Sequence, residues 1–327
     1  MQGVHIIGTG SYVPKRVLTN FDLEQMIDTS DEWILSRTGI RERCLADKDE
    51  AASDMAYQAS LVALDDAKVP PGEVDLLVVA TVTPDTPFPS TACHLQRHLG
   101  ASRAAAFDVG AACTGFVYGL SVAEQYLRTG RYRTILVVGV EVLSRIVDWT
   151  DRNTCILFGD GAGAAVLQAS EDTSRGLLAT FLHADGGMAD HLIMYGGGSR
   201  HPISEEVLHR RLHFLRMRGN ETFKIAVRTM IKASLEALDQ HGYRVEDVDL
   251  FIPHQANGRI VEAVSKRLGI PDEKVFVNIE RYGNTSAASI PIALDEALRS
   301  GRVKEGDLVL LIGVGAGLTW GSALFRW

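Results

Sequence analysis

The sequence predicts an α/β fold made of two copies of one unit. Three observations predict it: matched segments in the two halves, Val/Leu/Ile runs of strand length, and a chain too long for one core. Ala59-Ser60-Leu61, Ala63-Leu64-Asp65 and Val74-Asp75-Leu76 return as Ala233-Ser234-Leu235, Ala237-Leu238-Asp239 and Val248-Asp249-Leu250, all at an offset of 174. Leu127-Arg128-Thr129-Gly130-Arg131 returns as Leu298-Arg299-Ser300-Gly301-Arg302 at an offset of 171. Chance explains one such match, whereas four in the same order point to a duplication. The 327 residues also exceed the usual size of a single hydrophobic core.

Each element follows from its residues. Met1-Gln2-Gly3-Val4-His5-Ile6-Ile7 reads as a first strand, since it lacks the basic start, long apolar core and small-residue cleavage site of a signal peptide. Both repeat copies carry an amphipathic helix that passes through a charged turn into an apolar strand. In both, a later helix closes at a glycine, Gly130 or Gly301, and the chain enters a strand, residues 134–140 or 308–314. Strands this apolar fit parallel-rich sheets covered by helices. The polar run Ala169-Ser170-Glu171-Asp172-Thr173-Ser174 marks the boundary, giving halves of 1–172 and 173–327.

Composition excludes several classes. The chain is 46% hydrophobic and 23% charged, with no apolar run long enough to span a bilayer, so no membrane insertion and a cytoplasmic location are expected. The four cysteines, Cys44, Cys93, Cys113 and Cys155, form no Cys-x-x-Cys pair and read as free thiols. His94 and His98 stand at i, i+4 without the glutamate of a zincin motif, so they read as a helix face and no metal is expected. A formal net charge of −8 argues against nucleic acid. Against that acidity, His209-Arg210-Arg211-Leu212-His213-Phe214-Leu215-Arg216-Met217-Arg218 carries four arginines and no acid, with Lys224 and Arg228 following. It reads either as a solvated face or as a docking patch for an acidic partner.

The chemistry centres on Cys113. In residues 104–120 a short apolar strand runs into small residues, then Cys113, then an apolar helix. Unpaired N–H groups and the positive helix end favour a thiolate there, the reactive form. Adding 171 to 113 gives Asn284, also beside a glycine at a helix start, in Arg281-Tyr282-Gly283-Asn284-Thr285-Ser286. His254 follows the repeated strand in Phe251-Ile252-Pro253-His254, and strand carboxyl ends are where α/β sheets place their sites. A thiolate can hold an acyl group as a thioester, while a neutral imidazole and an amide can donate to an oxyanion or enolate. The same triplet also suits a Cys-His-Asn hydrolase, and the residues alone leave that open, together with a noncatalytic acyl-binding module.

Gly159-Asp160-Gly161-Ala162-Gly163 and Gly313-Val314-Gly315-Ala316-Gly317 look like halves of a dinucleotide fingerprint. Both are followed by strand-like residues instead of the helix a pyrophosphate needs, so a nicotinamide cofactor is rejected. Tight turns between paired strands are the expectation, with a backbone N–H of the second lining an oxyanion hole.

With these residues in place, the chain resembles β-ketoacyl-[acyl-carrier-protein] synthase III, a condensing enzyme of the thiolase fold. The match runs through Thr29-Ser30-Asp31-Glu32-Trp33-Ile34, Arg37-Thr38-Gly39-Ile40-Arg41-Glu42-Arg43, Gly159–Gly163 and His254-Gln255-Ala256-Asn257. It continues through Gly283-Asn284-Thr285-Ser286-Ala287-Ala288-Ser289 and Gly317-Leu318-Thr319-Trp320-Gly321. The resemblance implies an α/β thiolase-like fold, with duplicated βαβαβαββ halves in five αβαβα layers. It implies an acyltransferase that starts fatty acid synthesis by condensing an acyl-CoA primer with malonyl-[acyl-carrier protein]. The alternative is a relative from quinolone or polyketide synthesis.

The resemblance also implies roles. Cys113 would carry the acyl group, and His254 and Asn284 would stabilise the enolate left by decarboxylation. The backbone N–H groups of Cys113 and Ala316 would form the oxyanion hole; Ala316 stands where the family commonly has glycine. Trp33, Arg37, Arg152, Asn220 and Asn257 would bind coenzyme A, a substrate here and not a permanently bound cofactor. Phe88 would reach into the acyl pocket of a second subunit, implying a homodimer. Arg259, Lys224 and Arg218 would dock the acidic carrier protein. The chain departs from the family from Asp185-Gly186-Gly187-Met188 through Glu206, and relatives differ in this region and at the acyl pocket.

Overall fold

A computed structural model describes residues 2–327. The chain runs β1 (Gly3–Tyr12), β2 (Arg16–Thr19), α1 (Asn20–Glu24), α2 (Asp31–Thr38), β3 (Glu42–Leu45), α3 (Ala52–Ala67), β4 (Leu76–Ala80), α4 (Thr91–Leu99), β5 (Ala105–Val109), α5 (Gly115–Arg128), β6 (Thr134–Glu141), α6 (Arg152–Cys155) and β7 (Gly161–Ser170). It continues with β8 (Gly176–Ala184), β9 (Leu192–Met194), α7 (Glu205–His209), β10 (Leu215–Met217), α8 (Gly219–Asp239), β11 (Leu250–Pro253), α9 (Gly258–Leu268), α10 (Ile279–Tyr282), α11 (Ser289–Arg299), β12 (Leu308–Gly315) and β13 (Thr319–Arg326).

The two main sheets have the same strand order. The first is β1-β7-β6-β4-β5 and the second, read from the corresponding edge, is β8-β13-β12-β11. Corresponding pairs run alike: β4 with β6 and β11 with β12 are parallel, whereas β6 with β7 and β12 with β13 are antiparallel. The second sheet even keeps a remnant of the fifth strand, a single parallel bridge between Phe251 and Val275.

Period-two side-chain alternation builds five layers. Leu76, Val78, Ile135 and Val137 face a core shared with α5, α11 and the residues Leu250, Ile252, Val309 and Leu311 of the other sheet. Their neighbours Leu77, Val79, Leu136 and Val138 face α3 and α4. Phe251, Leu308, Leu310 and Ile312 face α8 and α9. The order is therefore helices, sheet, helices, sheet, helices, as the resemblance implied. On α5, the fully buried Phe116, Leu120, Ala123 and Leu127 repeat every three or four residues, the period of a buried helix stripe. Burial of each leucine is worth about 2 kcal/mol.

The repeat is more exact in space than in sequence. β6 and β12 start at 134 and 308 and end at 141 and 315, so 174 holds along the whole strand. The 3-10 turns before α5 and α11 start at Ala112 and Ser286, again 174 apart, and both of those residues have positive φ, +44° and +48°. Helix α11 is 11 residues long against 14 in α5, which is why the helix ends are offset by 171. The repeat mate of Cys113 is therefore Ala287, and the symmetry step that led to Asn284 does not hold. Close contacts agree: Gly313 packs on the Cys113 carbonyl, and its mate Gly139 packs on the Ala287 carbonyl.

The first glycine run also differs from expectation. Twenty positions separate the end of β6 at Glu141 from the start of β7 at Gly161, so Gly159–Gly163 is no tight turn. Its glycines serve close packing instead: a Cβ on Gly163 would lie 2.7 Å from the Ile292 nitrogen of α11. The second run does end β12 and turn directly into β13. Among the described residues no helix is long and apolar enough to cross a membrane. None of their His, Cys, Asp and Glu side chains form a group of three or more placed to hold a metal.

Candidate active site

One cavity of about 420 Å³ opens beyond the carboxyl ends of β11 and β12, with Cys113 entering it from the segment that follows β5. Its floor brings together Cys113, His254 and Asn284, and its mouth is lined by Trp33, Arg37 and Arg259. The three floor residues are nearly inaccessible, at 5%, 1% and 6% exposure.

Cys113 lies in the 3-10 turn Ala112–Thr114 that feeds α5. Its placement depends on β12, because a Cβ on Gly315 would lie 2.7 Å from the Cys113 nitrogen. Two hydroxyls tie this turn to the β12–β13 turn: Thr114 and Thr319 oxygens are 2.6 Å apart, and the Thr319 oxygen lies 3.1 Å from the carbonyls of both Ala111 and Ala316, either of which can accept its one hydrogen. Ala316 lines the cavity beside them. The left-handed conformation belongs to its neighbour Gly317, at φ +139°, so alanine is tolerated at 316 without strain. The expected resting thiolate is not what the site favours. Burial pushes the thiol up to about 12, with the Ser286 hydroxyl and the Cys113 N–H pulling the other way.

His254 follows β11, its N–H donating to the Ile312 carbonyl at 2.7 Å. Burial holds its pKa down at about 3, so the imidazole is neutral. Nδ1 lies 2.6 Å from Ser289 Oγ, which also accepts from the Gln255 N–H at 3.2 Å. With that acceptance in place, the Ser289 hydroxyl hydrogen is free to point at Nδ1, leaving the proton on Nε2. Nε2 is buried and has no partner among the described residues, so its donor is reserved for a ligand.

Asn284 does not start a helix. It pairs with Phe158 as a parallel bridge, its N–H donating to the Leu157 carbonyl at 2.8 Å. The Ser286 N–H donates to its Oδ1 at 2.8 Å, which leaves Nδ2 as the group facing the cavity.

At the mouth, Ser30 caps α2 by accepting from the Trp33 N–H, and Gly39 ends the helix at φ +76°. The guanidinium carbons of Arg37 and Arg152 lie 4.6 and 4.7 Å from the Trp33 ring centre. Arg152 covers Trp33 without lining the cavity, and also donates to the Asp28 carbonyl at 2.9 Å. Asn220, Asn257, Lys224 and Arg259 all line it. The Asn257 amide is partly engaged: Oδ1 accepts from the Arg259 N–H at 2.9 Å, capping α9, and Nδ2 donates to the Arg37 carbonyl at 3.1 Å.

Other expected residues stand apart. Phe88 is 85% exposed and outside the cavity. Arg218 precedes α8 and lies 3.9 Å from Glu221. The arginine run is not a free basic face: Arg210 pairs with Glu206, Arg211 with Asp148, and Arg216 donates to the Arg210 carbonyl. Lys224 and Arg259 are exposed cations at the mouth itself, as is Arg37 beside Trp33. The divergent segment 185–206 starts one cavity wall, contributing Met188, His191 and Leu192, with Met217 of β10 beside them. Ser289 and Ser286 were given no role on sequence grounds; a hydroxyl at the first turn of a small-residue helix is the signal that could have found them.

Comparison with known proteins identifies the family and the fold. Residues 107–186 match the family model for 3-oxoacyl-[acyl-carrier-protein (ACP)] synthase III, and residues 238–327 match the model for its C-terminal part. A β-ketoacyl-[acyl-carrier-protein] synthase III of Desulfitobacterium hafniense (strain Y51) is 57% identical, covering 100% of this chain and 98% of the relative. The crystal structure of 3-oxoacyl-[acyl-carrier-protein] synthase III from Aquifex aeolicus VF5 superimposes with a TM-score of 0.92 at 51% identity, covering 99% of this chain and 100% of the other. The priming β-ketosynthase of the R1128 polyketide pathway gives 0.92 at 38% identity, covering 99% and 96%.

Proposed function

The chain belongs to the 3-oxoacyl-[acyl-carrier-protein] synthase III family, and on that premise we propose how its residues carry out the condensation that starts fatty acid synthesis. It joins an acyl-CoA primer to malonyl-[acyl-carrier protein], giving a 3-oxoacyl-[acyl-carrier protein], free coenzyme A and CO2. The polyketide alternative is not favoured, since the R1128 enzyme shares 38% identity against 57% for the synthase III relative. The observation that carries the residue assignment is the convergence of Cys113, His254 and Asn284 on one cavity floor.

In the first half-reaction Cys113 sulfur bonds to the acyl carbonyl carbon and the bond to coenzyme A sulfur breaks. The Cys113 proton ends on the departing coenzyme A thiol. Trp33, Arg37 and Arg152 suit a flat base and phosphates, and Asn220 and Asn257 suit the amide-bearing arm that reaches inward. In the second half-reaction malonyl thioester loses CO2, and the enolate oxygen takes hydrogen bonds from His254 Nε2 and Asn284 Nδ2. A neutral imidazole suits this, because it donates without needing a charge in a dry site. The enolate carbon attacks the acyl-Cys113 carbonyl, whose oxygen faces the N–H groups of Cys113 and Ala316. Collapse expels the Cys113 thiolate, which takes one proton from solvent.

Lys224, Arg259 and Arg218 are read as the contacts for the acidic carrier protein, which exposed cations at the mouth attract and orient. A homodimer is supported by two features of one edge: the exposed Phe88 and the partly exposed apolar strand β5 at the end of its sheet. We divide the chain into halves 1–172 and 173–327 on the matched strand orders, and place the protein in the cytoplasm without a permanent cofactor.

Incubation with acetyl-, isobutyryl- or octanoyl-CoA plus malonyl-carrier protein, followed by product mass, tests this reading. A carrier-bound 3-oxoacyl product is expected. Free acid without a new carbon–carbon bond would identify a hydrolase instead.

A further inference from the structure

Glu141 plays no part in the chemistry above, yet it is fully buried next to the nucleophile. It ends β6, and its carboxylate accepts from the Val82 N–H at 3.1 Å, the Thr83 hydroxyl at 2.7 Å and the Ser286 hydroxyl at 3.0 Å. These donors are backbone N–H groups and hydroxyls, so the carboxylate is buried without a cation to offset it. Burial accordingly raises its pKa to about 7 despite them.

The duplication shows that this side chain is not required by the fold. Position 141 corresponds to position 315, each the last residue of its strand, and 315 is glycine. In the second half the bare backbone packs against the Cys113 turn. In the first half a carboxylate reaches across the pseudo-twofold to the opposite turn, Ser286–Ala288. That turn starts in a left-handed conformation, φ +48° at Ser286, which a residue with a Cβ adopts only when its surroundings hold it. The same Ser286 donates its N–H to Asn284 Oδ1.

We infer that Glu141 is a positioning residue for the decarboxylation half-reaction: through Ser286 it fixes the Asn284 amide so that Nδ2 points at the enolate oxygen. The inference rests on the role given to Asn284 above. Glu141 does not touch substrate. It also lies close enough to Cys113 for its charge to disfavour the thiolate, so neutralising it does not weaken the nucleophile.

The test measures two half-reactions separately in the intact enzyme: Cys113 acylation by acetyl-CoA, and CO2 release from malonyl-carrier protein. Wild type, Glu141→Gln, Asn284→Ala and the double variant are compared. Glutamine keeps the shape but turns an NH2 toward groups that need an acceptor. Glu141→Gln is expected to slow decarboxylation about tenfold, to leave acylation within about threefold, and to add nothing in the Asn284→Ala background. Equal losses in both half-reactions, no loss, or an undiminished loss in the Asn284→Ala background would overturn the inference. If Asn284→Ala itself leaves decarboxylation intact, the role of Asn284 fails first. Ser286→Ala breaks the same relay but also removes a hydroxyl that faces Cys113, so if Glu141→Gln does not fold, only its decarboxylation loss with and without Asn284→Ala is compared, and a loss undiminished by Asn284→Ala overturns the inference.

Discussion

The Ser289 hydroxyl lies 2.6 Å from Nδ1 of His254 and occupies that ring nitrogen, leaving Nε2 as the one free to meet a ligand. Ser289→Ala removes it and leaves Nδ1 unpartnered in a buried site. Decarboxylation of malonyl-carrier protein is expected to fall about tenfold, the scale of losing a preorganised donor. Separate assays of acylation and CO2 release check this, with acylation the less affected.

The buried imidazole also makes a pH prediction. Its folded pKa of about 3 lies below the ordinary 6.5. The stability this contributes is present above pH 6.5 and is lost as the pH falls toward 3. The His254 ring resonances in a heteronuclear NMR titration are expected not to move between pH 8 and 5. A midpoint near 6.5 would show that the ring is hydrated.

Gly315→Ala places a methyl 2.7 Å from the Cys113 nitrogen, with backbone on both sides and no flexible side chain to yield. The Cys113 and Ala316 N–H groups then separate. Acylation is expected to drop by a factor of about a hundred, with a stability loss of about 1–3 kcal/mol by thermal denaturation.

Arg259→Glu reverses a charge at the mouth. It is expected to raise KM for malonyl-carrier protein about tenfold while kcat changes less, and the effect should shrink as salt is added. Steady-state kinetics at two ionic strengths check both parts.

The layers and strands were legible because alternating apolar residues and glycine helix ends are local signals. Four matched segments, three at an offset of 174 and one at 171, were enough to predict a duplicated sheet. The site was legible less directly. Asn284 is on the cavity floor, but the offset that pointed to it belongs to the ends of α5 and α11, where three residues are missing from the second helix. What placed it was the motif around Gly283-Asn284-Thr285, which the resemblance carried. Ser289 was marked only by its place in the first turn of α11, and Glu141 was not legible because its partner Ser286 lies 145 residues away. The arginine run misled for the same reason, since Asp148, which neutralises Arg211, is 63 residues distant. The thiolate expectation rested on the helix start alone and did not include the burial that pushes Cys113 up.

The central claim is that Cys113 carries the acyl group. Intact-protein mass after incubation with acetyl-CoA tests it, in wild type and in Cys113→Ser. The account predicts one acetyl group per wild-type chain, lost again when malonyl-carrier protein is added, and none on Cys113→Ser. Acetylation that persists in Cys113→Ser would contradict it.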